Sequence, residues 1–215
     1  MTKVKICGIT NLDDAIVAAE AGADFLGFIL YPPSKRACDV KAAQCIVSHL
    51  RSLPNCPTLV GVFVNEPLAF VRNTMTVCDF DMVQLHGEES AEYLHAFEEE
   101  AYKAIRPRTM QEAIEQTAIY TVPELPSRPT ILIDAYHPNL YGGTGETSDW
   151  EMARQIQTSS PQLMLAGGLT IDNVAQAVRE VQPWCVDVAS GVEASPGIKN
   201  HAAVRAFIQQ AKHAA

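Results

Sequence analysis

No apolar run in this 215-residue sequence comes near the roughly 18 residues that a membrane-crossing helix needs. Met1-Thr2-Lys3 leads straight toward a first strand without an apolar h-region, so no secretory signal is expected. Basic residues are scarce. Sixteen lysines and arginines stand against 25 aspartates and glutamates, for a formal net charge of −9. That deficit argues against nucleic acid and against an anionic membrane surface as partners. The six cysteines, at positions 7, 38, 45, 56, 78 and 185, form neither a CxxC nor a CxxH pair, so no metal site is expected. A chain of this length builds its own core without disulfides. Reduced thiols in a cytoplasmic protein are therefore the expectation.

Hydrophobic residues make up 47% of the chain and charged residues only 19%, a globular composition. Short apolar runs alternate with helical patterns from end to end. Strands are expected at 4–7, 25–30, 58–64, 82–85, 102–105, 130–133, 163–165 and 185–188. Most are apolar on consecutive positions, as in parallel strands buried on both faces. Between them, Leu12, Ala15, Ile16 and Ala19 recur at helical spacing behind Thr10 or Asn11. Ala43, Ile46, Val47 and Leu50 do the same, as do Val204, Phe207, Ile208 and Ala211. Ser148-Asp149-Trp150-Glu151 reads as a capping box, and Thr170 as the cap of a helix carrying Ile171, Val174, Val178 and Val181. Eight βα units with right-handed crossovers point to a single-domain α/β fold, a (β/α)8 TIM barrel spanning residues 1–215. A doubly wound open sheet is the alternative.

In such a barrel the active site gathers at the carboxyl ends of the strands. The eight exits here are polar or glycine-rich: Cys7-Gly8, the segment from Tyr31 to Arg36, Asn65, His86-Gly87, Arg106, Asp134, Ala166-Gly167-Gly168 and Ala189-Ser190-Gly191. Glycines after strands 7 and 8 let backbone amides approach an anion, and phosphate is the expected ligand there. Asp134 follows three branched apolar residues. Burial there favours the protonated form that a general acid needs. The long glycine-rich segment 135–147 could fold over a ligand, and Arg36 could pair with a substrate carboxylate. A histidine at a strand end, as His86 is, reads most simply as a structural hydrogen-bonding residue.

The motifs Lys5-Ile6-Cys7-Gly8-Ile9-Thr10, Gly61-Val62-Phe63-Val64-Asn65 and Gln84-Leu85-His86-Gly87 resemble the phosphoribosylanthranilate isomerase family of tryptophan biosynthesis. So do Asp134, Gly142-Gly143-Thr144-Gly145, Asp149-Trp150, Ala166-Gly167-Gly168-Leu169, the segment from Asp187 to Glu193, and Pro196-Gly197 with Lys199. The resemblance runs from residue 3 to about 200. It implies a cofactor-free Amadori rearrangement of N-(5-phosphoribosyl)anthranilate in a monomer or homodimer. By the same resemblance Cys7 is the general base, Asp134 the general acid and Arg36 the residue facing the anthranilate carboxylate. Gly143, Gly167, Gly168, Ser190 and Gly191 then fall on the substrate and phosphate site. Glu146, Ser148 and Asn200 depart from the family's common residues. Glu146 stands where the family often has a loop lysine able to close over the phosphate.

A free thiol is only a few per cent ionised at pH 7, so some lowering of the Cys7 pKa is expected. Lys5 is one source if the strand alternates regularly. The rival readings are another sugar-phosphate isomerase, a thiol hydrolase using His86, and a non-catalytic sugar-phosphate-binding module. Cys7 in place of an aspartate at the first exit speaks against the first. His86 is the only partner at a strand exit, and a covalent mechanism would leave the phosphate loops unused, which speaks against the second. The presence of both Cys7 and Asp134 speaks against the third.

Overall fold

Cys7 ends the first strand in the structure, a computed structural model that describes residues 1–135 and 149–214. After β1 (Lys3–Cys7) come β2 (Phe25–Ile29), β3 (Thr58–Phe63), β4 (Met82–Leu85), β5 (Ala101–Ile105), β6 (Ile131–Ile133), β7 (Leu163–Leu165) and β8 (Cys185–Val188). Each strand pairs in parallel with the next. β1 pairs with β8 from Lys3 opposite Cys185 to Ile6 opposite Val188, so the sheet closes into an eight-stranded barrel. Closure rules out the open doubly wound sheet. Every strand bound expected from the sequence falls within one residue of the observed one.

The strands are wrapped by α1 (Leu12–Glu20), α2 (Val40–Leu50), α3 (Leu68–Cys78), α4 (Ala91–His95), α5 (Met110–Tyr120), α6 (Trp150–Gln157), α7 (Val174–Val181) and α8 (His201–His213). Asn11, Asp39, Ser90, Thr109, Asp149 and Asn200 each accept a hydrogen bond from the amide three residues on. Such a cap contributes about 1 kcal/mol, and it fixes where each loop at the barrel mouth ends. α8 lays Val204, Phe207 and Ile208 against the barrel, at roughly 1.5–3 kcal/mol for each side chain buried.

Two caps differ from the sequence reading. Asp149 caps α6, and Ser148 lies outside the described residues. α7 starts only at Val174, behind Asn173 instead of Thr170. The reason is a local tie. Thr170 donates its amide to Asn173 Oδ1 at 2.8 Å, and Asn173 Nδ2 donates to the Gly168 carbonyl at 2.9 Å, so the chain folds on itself before the helix can begin.

The barrel interior is less apolar than continuous hydrophobic strands imply. Lys5, Gln84, Tyr102 and Asp187 are all buried within it. Beyond β8 a 3-10 turn (Ser190–Val192) leads into an antiparallel hairpin, β9 (Glu193–Ser195) and β10 (Ile198–Lys199), which the sequence pattern does not announce. No helix among the described residues is long and apolar enough to cross a membrane.

Candidate active site at the carboxyl ends of the strands

Alternation along the strands decides what reaches the barrel mouth. Lys5 and Cys7, Val62 and Val64, and Gln84 and His86 are each two residues apart and so share the inner face. Above them opens a cavity whose wall includes Cys7, Arg36, His86, Asp134, Gly167, Gly168, Asp187 and Ser190. The structure therefore gathers both expected acid–base residues, the expected arginine and three of the expected glycine-loop residues around one space. Gly143 lies outside the described residues. Gly191 does not line the wall but stands behind it. Two of the eight exits turn aside. Arg106 pairs with Glu88 at 2.8 Å, Asn65 accepts from the Glu88 amide at 2.6 Å, and neither is among the described residues that line the cavity.

Cys7 is 5% exposed. Burial pushes its thiol above the ordinary value of 9.0. The nearby Lys5 ammonium, which hydrogen-bonds the sulfur, pulls the other way, and Asp187 adds to the upward push. The net direction corrects the lowering expected from the sequence. The lysine does stand on the thiol's side, but the desolvation of a buried sulfur outweighs it. Lys5 itself stays protonated. Its burial opposes the charge, but Asp187, with its Oδ1 3.1 Å from Lys5 Nζ, holds the proton on. Space for these two heads comes from β2. A Cβ on Gly27 would lie 2.7 Å from Cys7 Sγ and 3.0 Å from Lys5 Nζ.

Gly8 adopts a φ of 76°, a left-handed conformation that side chains disfavour. A Cβ there would also meet Arg36 Cδ at 3.0 Å. The glycine after the cysteine thus lets the chain turn out of β1 and lets the arginine stem lie across it.

Across the mouth, Asp134 Oδ1 accepts from the Ala135 amide at 2.8 Å. Its Oδ2 lies 3.3 Å from His86 Nε2. His86 is set from below. Tyr102 donates its hydroxyl hydrogen to Gln84 Oε1 at 2.9 Å, which leaves the Gln84 amide nitrogen, 3.0 Å from His86 Nδ1, as the donor. A neutral His86 then carries its proton on Nε2, the nitrogen that faces Asp134. The loop holding His86 is braced by Glu89. Its carboxylate accepts from the amides of Asn65 at 2.7 Å and Gly87 at 2.9 Å and pairs with buried Lys103 at 2.7 Å. His86 is thus hydrogen-bonded, as its type suggests, and it also lines the cavity beside the acid.

Gly167 and Gly168 have φ values of 91° and 60°. A Cβ on Gly191 would fall 1.9 Å from the Leu169 carbonyl oxygen, with the backbone of Thr170 next in line. The loops after β7 and β8 therefore touch backbone to backbone at Gly191. Ser190 and Gly191 open the 3-10 turn, so their amides have no acceptor within it. A Gly191→Ala variant would drive these loops apart. It is expected to raise KM for a phosphorylated substrate at least about tenfold while changing kcat less, because the loss falls on binding shared by ground and transition states. Steady-state kinetics would show it, and an unchanged KM would remove the phosphate reading of this loop pair.

Three buried polar residues to which the sequence assigned no role stand inside apolar strands: Asp187 and Gln84, seen only as parts of motifs, and Tyr102. The visible signal was a charged or amide residue in the middle of a buried run, which is costly unless it is paired.

A family model described as N-(5'phosphoribosyl)anthranilate (PRA) isomerase matches residues 4–210. The chain is 46% identical over 212 residues to N-(5'-phosphoribosyl)anthranilate isomerase of Geobacter sulfurreducens, covering 99% of each chain. It is similar to the crystal structure of phosphoribosyl anthranilate isomerase from Thermotoga maritima, with a TM-score of 0.87 and 38% identity over 99% of this chain and 100% of that one. A second similar structure holds reduced 1-(o-carboxyphenylamino)-1-deoxyribulose 5-phosphate. It matches with a TM-score of 0.84 and 36% identity, again over 99% of this chain and 100% of that one.

Proposed function

The chain belongs to the N-(5'-phosphoribosyl)anthranilate isomerase family, and on that footing we propose how its own residues divide the work of the reaction. The substrate is N-(5-phosphoribosyl)anthranilate and the product is 1-(2-carboxyphenylamino)-1-deoxyribulose 5-phosphate, an intermediate of tryptophan biosynthesis. Asp134 is the general acid and Cys7 the general base. The observation that supports this most is their common cavity, with Gly167, Gly168 and Ser190 on the same wall. Phosphate held by those loops positions the ribose between acid and base.

The ring oxygen of the furanose takes a proton from Asp134, and the C1′–O4′ bond breaks. The nitrogen lone pair becomes the second bond of an iminium. The Asp134 carboxylate left behind faces His86 Nε2 at 3.3 Å, so its new charge meets a donor already in place. The Cys7 thiolate then removes the proton from C2′, and that electron pair neutralises the iminium to an enolamine. Tautomerisation of the enol places the carbonyl at C2′. Proton transfers alone complete the rearrangement, so no cofactor is required.

The buried thiol is mostly un-ionised in the free enzyme. With burial holding it above its ordinary value, the thiolate is the minor form at neutral pH, and forming it adds to the barrier. Lys5 and the iminium itself both favour the thiolate, so the base is strongest when its target proton is most acidic. Arg36 faces the anthranilate carboxylate. The six free cysteines support a reducing, cytoplasmic setting.

The test is turnover. Phosphoribosylanthranilate generated in situ should lose its anthranilate-type emission rapidly with the wild type. An Asp134→Asn variant with an unchanged circular dichroism spectrum should be slower by about a hundredfold or more. Equal rates for the two would remove Asp134 from the acid role.

A further inference from the structure

Arg36 comes from the loop after β2, outside any helix or strand, yet its guanidinium is fixed. Its Nε and Nη2 donate to the two carboxylate oxygens of Glu193 at 2.8 and 2.9 Å. Glu193 is itself held by further donors. Its Oε1 also accepts from Lys199 Nζ at 3.2 Å and from the Gly197 amide at 3.2 Å. Lys199 is buried, and its remaining two hydrogens are spent on the carbonyls of Cys7 at 2.7 Å and Ala189 at 3.0 Å. A single buried node thus joins the arginine, the backbone of the expected base, and the residue before Ser190.

We propose that Glu193, with Lys199 behind it, is the positioning residue that makes Arg36 selective for a substrate bearing an aryl carboxylate. The inference rests on the reading of Arg36 given above. A guanidinium has two edges able to bind a carboxylate in bidentate fashion. Glu193 occupies the Nε–Nη2 edge. The Nη1 edge carries no hydrogen bond among the described residues, and Arg36 lines the cavity. Charge fits as well as geometry. One glutamate between an arginine and a lysine leaves the node with one net positive charge. Glu193 alone would neutralise Arg36 and repel an incoming carboxylate. Lys199 removes that repulsion while giving the arginine no competing acceptor.

The test compares two stable ligands on each enzyme: reduced 1-(2-carboxyphenylamino)-1-deoxyribulose 5-phosphate and the same compound with a plain phenyl ring. Dissociation constants would be measured by calorimetry for the wild type, Arg36→Met, Glu193→Gln and Glu193→Asp, with thermal melts to confirm folding. The wild type should prefer the carboxylate ligand, and Arg36→Met should lose that preference. Glu193→Gln should reduce the preference about tenfold or more, with the phenyl compound bound nearly as before. Glu193→Asp, which keeps the charge but withdraws it by one methylene, should do the same if the Gln variant fails to fold. A Glu193 variant that weakens both ligands equally, or neither, would overturn the proposal. An Arg36→Met enzyme that keeps the preference would instead overturn the reading of Arg36.

Discussion

A Cys7→Ser enzyme is expected to fold like the wild type and to lose about three orders of magnitude or more in kcat/KM. The substitution is nearly isosteric, and the buried hydroxyl would find Lys5 as a partner where the sulfur did. The stability change should therefore stay within about 1 kcal/mol. The chemistry has no such compensation, because an alcohol is a far weaker acid than a thiol and its anion is not available near neutrality. A serine variant within about tenfold of the wild type would leave Cys7 as a packing residue only.

The thiol should also be visible in the pH dependence once the acid is removed. Burial holds Cys7 above 9.0 against the pull of Lys5, and the active form is the thiolate. The residual kcat/KM of Asp134→Asn should therefore rise about tenfold per pH unit between about pH 6.5 and 8.5, without levelling off below about pH 9. A plateau near neutrality would mean that the free thiol is already ionised and that Lys5 outweighs the desolvation of Cys7.

The strands were legible because their cause is local. A run such as Ile131-Leu132-Ile133 has one stable solution, burial on both faces of a parallel sheet. The positions of Cys7, Asp134 and the glycines after β7 and β8 were legible for a related reason, whereas Arg36, well beyond the end of β2, was singled out by its charge and by the family resemblance. A polar residue or a glycine immediately after an apolar strand lands at the barrel mouth whatever the rest of the chain does. What sequence could not give is pairing across the barrel. Lys5 and Asp187 are 182 residues apart, and only the closure of β8 against β1 brings them to 3.1 Å. The pairing of Glu193, and with it the place of Lys199 behind it, was likewise unreadable, because Arg36 reaches Glu193 from a loop more than 150 residues away. The cap of α7 was misread for a smaller reason. Asn173 outcompetes Thr170 by reaching back to both the Thr170 amide and the Gly168 carbonyl, a choice that composition does not reveal.

Lys5→Met should be the most damaging single change outside the acid–base pair, and it separates stability from catalysis. Removing one partner of a buried ion pair typically costs about 3–5 kcal/mol, since the other charge is left in a low-dielectric site. Burial and the neighbouring Asp134 carboxyl already push Asp187 up, and Lys5 is what holds it down. Without Lys5, Asp187 would take up a proton on folding near neutral pH, while the unfolded chain would not. Stability of the variant should therefore fall as pH rises from about 4 to 7, and the deficit should shrink in acid, where the carboxyl is protonated in both states. The double variant Lys5→Met/Asp187→Asn removes both charges. It should regain most of the lost stability in urea unfolding and lose the pH dependence of the deficit. It should not regain activity. Lys5 lowers the thiol's pKa by more than Asp187 raises it, so deleting both leaves Cys7 harder to ionise, and each unit of upward shift costs about tenfold in thiolate. Recovery of wild-type kcat/KM together with stability would make the pair a purely structural device. Recovery of stability alone would identify Lys5 as the cation that serves the base.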